Sequence, residues 1–86
     1  MIDDIRKQID RVDIDLISLL AKRMDLAVQI GREKKASGAE VLQATRESVV
    51  IDKAKLVADT LGLDDVFITN LYTVILTESR RLQSKV

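Results

Sequence analysis

Apolar residues recur along this chain at helical spacing from one end to the other. Ile5, Ile9, Val12, Leu16, Leu20, Ala27 and Ile30 follow a three-four stripe, and Ile14, Ile17, Met24 and Val28 widen it into a second face. No breaker interrupts the pattern before Ser37-Gly38 except Gly31, which costs about 1 kcal/mol relative to Ala inside a helix. The spacing therefore predicts one helix from about Asp3 to Lys35, about 50 Å long at helical rise. Residues 36–44 read as a loop. Thr45 is placed to cap a second helix over about 46–61, with Glu47 in its first turn where a carboxylate suits the helix dipole. Val49, Val50, Ala54, Val57 and Leu61 form its stripe, and Gly62 stops it. Asp64 is positioned to cap a third helix over about 65–84, with Leu63 and Ile68 spaced as a hydrophobic staple. Phe67, Leu71, Val74 and Leu82 mark one stripe of that helix, and Ile68, Tyr72 and Ile75 a neighbouring one. Nothing alternates as a strand does. The predicted fold class is all-α: three helices in a single domain over 1–86, one of them very long.

The short connection at Gly62-Leu63 makes the second and third helices antiparallel neighbours. Neither is long enough to cover the whole first helix, so part of its apolar stripe calls for another chain. The arrangement expected is an intertwined helical homodimer paired through the first helices. A first helix broken at Gly31, giving a compact monomeric bundle, is the alternative.

Composition narrows the chemistry. The 86 residues contain no Cys and no His, which removes disulfides, thiol nucleophiles, imidazole bases and the usual zinc ligands. No cofactor or metal is expected. Fourteen basic and fourteen acidic side chains cancel, leaving no electrostatic footprint for nucleic acid or an anionic membrane. One Phe, one Tyr and no Trp make a poor stacking platform for bases. No apolar run approaches a membrane span of about 20 residues, and the acidic, periodic N-terminus is unlike a signal peptide. A soluble cytoplasmic domain is the expectation.

Polar residues interrupt the inward stripes at a few places. The first-helix stripe continues through Arg23 and Lys34, eleven residues and three turns apart on one face. The 68-72-75 stripe of the third helix continues through Ser79 to Gln83. Arg46 and Glu47 open the second helix, whose N-terminus favours anions. Taken singly, each has an ordinary structural role: a snorkelling cation, an interhelical hydrogen bond, a helix-start charge. As a set, they bury more positive charge than Glu47 can balance, which is costly without a partner. A small dianion would supply that partner. The chemistry then available is to grip carboxylates, orient the ligand and donate hydrogen bonds to an oxygen gaining negative charge.

Several stretches, taken in order, carry a resemblance. They are Ile5-Arg6, Ile9-Asp10 and Val12-Asp13; Leu19-Leu20-Ala21-Lys22-Arg23; Ile30-Gly31-Arg32-Glu33-Lys34; Arg46-Glu47; Gly62-Leu63; and Glu78-Ser79-Arg80-Arg81-Leu82-Gln83. Over essentially its full length the chain resembles the all-helical (AroQ-type) chorismate mutases. The resemblance implies an intertwined dimer with two shared sites, converting chorismate to prephenate on the route to phenylalanine and tyrosine. It implies that Arg23 and the partner subunit's Arg6 hold the two carboxylates of the substrate, with Ser79 assisting. Lys34 and Gln83 would donate to the breaking ether oxygen, Glu47 would take the ring hydroxyl, and Arg46 would support the pocket rim. Many members carry Asp three residues before the Arg-Glu pair; here that position is Gln43, which bears on substrate preference. Related readings are isochorismate-pyruvate lyase or 4-amino-4-deoxychorismate mutase on the same scaffold, and a non-catalytic dimerisation module whose inward cations pair internally.

Overall fold

The structure is a computed structural model that describes all of residues 1–86. It has three helices and no strand: α1 (Ile2–Ser37), α2 (Ala44–Thr60) and α3 (Asp65–Ser84). Helix α1 runs unbroken through Gly31, so the compact bundle with a broken first helix does not form. Asp3 and Asp4 lie in its first turn and Lys34 and Lys35 in its last, each complementing the dipole at its end. Two turns of the same design end α1 and α2. Gly38 and Gly62 both take φ 74°, a left-handed conformation that costs glycine nothing. The N–H of Ala39 then reaches the carbonyl of Lys34, and that of Leu63 the carbonyl of Ala58, both at 2.9 Å.

At the N-termini, one expected cap holds and the other does not. The Asp64 carboxylate accepts from the Phe67 N–H at 2.9 Å, capping α3 as its position predicts. Thr45, by contrast, is no cap. The N–H of Glu47 donates to the carbonyl of Gln43 at 3.0 Å, which closes the first turn earlier and puts Thr45 inside the helix. Gln43 is the flanking residue of α2, and its side chain makes no capping bond.

Helix α3 is the hub. It packs on both α1 and α2, which do not pack on each other. Ile68, Ile75 and Leu76 of α3 are buried, with Ala27 and Gly31 of α1 and Ala58 of α2. The α1–α3 crossing is tight at Gly31. A Cβ there would lie 2.8 Å from the Cα of Gln83, so only glycine admits this approach. Gly31 therefore sets the distance between the two helices that carry Lys34 and Gln83.

One chain is a poor container for its own apolar surface. Only eight of 86 residues are buried, and none has a fully enclosed side chain. The radius of gyration is 15.7 Å, against about 12 Å for a compact domain of this length. The N-terminal half of α1 extends past the other helices, with Ile5, Ile9, Val12 and Leu16 all at least half exposed. No helix is long and apolar enough to cross a membrane.

Candidate active site

A cavity of about 390 Å³ opens where the C-terminal part of α1, the start of α2 and the last turns of α3 converge. Leu26, Ala27, Ile30, Val50 and Leu76 provide its apolar wall, and its polar groups enter from all three helices.

A hydrogen-bonded cluster sits at the end of α1. Lys34 Nζ donates to Gln83 Oε1 and to the carbonyl of Val41, both at 2.7 Å. The second bond exists because the turn at Gly38 sends the chain back over the helix end. An ammonium only donates, so it holds the carboxamide oxygen of Gln83 and aims the NH2 group the other way. There Nε2 donates to Ser79 Oγ at 3.1 Å, one helical turn back on α3. Ser79 and Gln83 are both buried. The chain Lys34–Gln83–Ser79 still has donors to spare: one proton on Nζ, one on Nε2 and the Ser79 hydroxyl.

Charge is lopsided around this cluster. The cavity wall carries four cations, Arg23, Lys34, Arg46 and Arg80, against one carboxylate, Glu47. That carboxylate is already bound by Arg80 Nη1 across the α2–α3 interface. Arg23 lies over the Tyr72 ring at 6.0 Å, close enough for a weak cation–π contact. Arg23, Lys34 and Arg46 form no salt bridge, in contrast to the internal pairing expected of a silent dimerisation module.

The structure thus brings Arg23, Lys34, Gln43, Arg46, Glu47, Ser79 and Gln83 to one cavity. Arg6 is not among them. It sits exposed near the far end of α1, 3.7 Å from Asp3. Arg80 and the Val41 carbonyl also bond to residues of this cavity, and neither is among the candidates the sequence offers. Arg80 had a signal, since it lies four residues beyond buried Leu76 and three before Gln83 on the same face. The Val41 carbonyl had none, because backbone chemistry in a loop leaves no residue-type signature.

The family model for chorismate mutase type II matches residues 5–84. The chain belongs to that family. Membership makes it an enzyme, an isomerase, with the all-helical architecture described above. Similar curated proteins differ in how much of their own length this chain covers. A 4-amino-4-deoxychorismate mutase of Streptomyces venezuelae is 39% identical over 82 residues, covering 95% of this chain and 80% of that protein. One from Streptomyces pristinaespiralis is 30% identical over 84 residues, covering 98% and 65%. A bifunctional chorismate mutase/prephenate dehydratase of Escherichia coli is 32% identical over 75 residues, 87% of this chain but 19% of that protein. This chain thus aligns with most of the first protein and with only a small part of the bifunctional enzyme.

Proposed function

We propose that the chain catalyses the rearrangement of chorismate to prephenate, a step of phenylalanine and tyrosine synthesis in the cytoplasm. The observation that carries the reading is the Lys34–Gln83 pair of donors beside cations that lack carboxylate partners. The reaction breaks one C–O bond and forms one C–C bond within a single molecule, with no proton transfer. It needs no nucleophile, metal or base. It needs the compact, diaxial conformer, and it needs donors where the ether oxygen gains negative charge.

Arg23 binds one substrate carboxylate, and Ser79 assists through its free hydroxyl. Arg46 supports the rim. Binding both carboxylates at fixed separation selects the reactive conformer and converts binding energy into orientation. The free protons of Lys34 and Gln83 then meet the ether oxygen. Each such preorganised donor contributes about 2.7–4 kcal/mol to the transition state. Glu47, steadied by Arg80, accepts from the ring hydroxyl, with Gln43 beside it.

The second carboxylate calls for a second chain. Arg6 lies 17 residues from Arg23 along α1, about 25 Å at helical rise, and cannot reach the same ligand. The uncovered apolar half of α1 fits an antiparallel partner. A homodimer built on it delivers Arg6 of the partner subunit to each cavity and gives two equivalent sites.

A second reading has a specific observation behind it. The Streptomyces venezuelae relative is named for 4-amino-4-deoxychorismate, and this chain has an amide, Gln43, at the cavity edge where a ring substituent would lie. Incubation with chorismate, following loss of its ultraviolet absorbance and identifying the product, tests the proposal. Prephenate supports it. No turnover of chorismate, with turnover of the amino analogue, moves the assignment to the second reading. Pyruvate and salicylate from isochorismate would mark a lyase.

A further inference from the structure

Arg80 is the cavity residue to which the proposed rearrangement gives no direct task. It projects from α3 one position beyond Ser79, and its guanidinium spans the gap to α2. Nη1 donates to Glu47 Oε1, and Nη2 lies 3.4 Å from the Thr77 hydroxyl one turn back. Arg80 and Glu47 are both largely withdrawn from solvent, their side chains 32% and 22% exposed. The only carboxylate in the cavity wall is therefore held by a cation from the facing helix, while three other cations lie around it.

Such a carboxylate keeps free lone pairs, so it still accepts a hydrogen bond from a neutral hydroxyl. Its attraction for a cation is another matter. An ammonium at the same place feels the carboxylate and, just behind it, a guanidinium of opposite effect. We infer that Arg80 is a specificity-determining residue acting through Glu47: by holding and charge-compensating that carboxylate, it favours a ring hydroxyl over a ring ammonium. The inference rests on the proposed reading, in which Glu47 faces the ring substituent. Arg80 itself touches no reacting atom. It is a positioning residue whose charge is what matters.

Chorismate and 4-amino-4-deoxychorismate differ at this one ring substituent, which makes them the natural probe pair. The quantity to measure is kcat/KM for each, in the wild-type protein and in Arg80→Gln, Arg80→Lys and Glu47→Gln variants. Arg80→Gln should raise the amino-to-hydroxyl ratio by about tenfold or more, since a bare carboxylate at close range attracts a cation strongly. Arg80→Lys restores the charge and should keep the ratio within about threefold of wild type. Glu47→Gln leaves Arg80 uncompensated and should lower the ratio, which gives a second reading if Arg80→Gln folds poorly. The gain in Arg80→Gln should also fade at high pH as the ring amine loses its proton. If both substrates lose activity in proportion, Arg80 is a structural brace and the inference is overturned. If the wild-type protein turns over neither substrate, the rearrangement reading fails first and the inference falls with it.

Discussion

Lys34 and Gln83 form a single unit, since each fixes the orientation of the other. The ammonium aims the amide, and the amide leaves the ammonium one proton for a ligand. In the proposed mechanism Lys34→Ala removes a donor needed only as charge develops, so kcat should fall while KM changes little. The expected loss is about 100- to 1,000-fold in kcat with the helical content intact. Near-normal kcat would remove Lys34 from the reaction. Gln83→Glu tests the same oxygen by titration. A carboxyl group donates only when protonated; its ordinary pKa is about 4.3, and the neighbouring ammonium pushes it lower. Activity should therefore be confined to acid and decline as pH rises through that range, where the wild-type amide shows no such limb. A flat pH–rate profile from this variant would mean that Gln83 does not meet the reacting oxygen.

Among the helices, Gly31 sets two energetic effects against each other. Replacing glycine by alanine inside a helix gains about 1 kcal/mol in propensity. Here the added Cβ would lie 2.8 Å from the Gln83 Cα, a backbone atom that no rotamer change can move aside. Overpacking of this kind costs about 1–3 kcal/mol, so the clash wins. Gly31→Ala should lower the melting temperature and, by pushing Gln83 away from Lys34, reduce kcat; a higher melting temperature with full activity would contradict the close crossing. The α2–α3 turn carries a different load. A hydrogen bond and charge repulsion from Asp65 hold the Asp59 carboxyl above its ordinary pKa of 3.8. An acid whose pKa is raised in the folded state stabilises that state while protonated, and the benefit is lost as pH rises through the folded pKa. Asp59→Asn, which also removes a negative charge near the C-terminus of α2, should raise the melting temperature at pH 7. That gain should disappear on titration below about pH 4. Thermal melts at the two pH values decide it.

For the whole molecule, the proposed dimer makes a quantitative claim. Arg6→Ala and Lys34→Ala should each be nearly inactive, because each lesion damages both sites of its own homodimer. In a mixed dimer with sites shared across the interface, one site carries both lesions and the other carries neither. Unfolding the two proteins together and refolding them at equal ratio makes half the dimers mixed, so activity should return to about a quarter of wild type. A mixture as inactive as its parents, with mixed dimers verified by mass, would rule out Arg6 acting across the interface.

Helical periodicity, glycine stops and the Asp64 cap are local signals, and they were enough to place all three helices to within a few residues. The charged and amide interruptions of inward stripes were legible for the same reason: a polar side chain at an apolar position stands out against a 3.6-residue period. Arg23, Lys34, Ser79 and Gln83, which line one cavity in the structure, all stand out this way. Thr45 misled because capping depends on which carbonyl the first N–H groups reach, a contest settled by the path of the preceding loop. Gly31 read only as a propensity cost, since nothing along the chain shows that another backbone passes against it. The position of Arg80 on the inward face is legible, but its pairing is not, because its partner Glu47 is 33 residues away on another helix. Tertiary structure decided those pairings: which donor holds which acceptor, how near two helices come and which cations remain unpaired. Each depends on distances between residues remote in sequence, and periodicity carries no information about them.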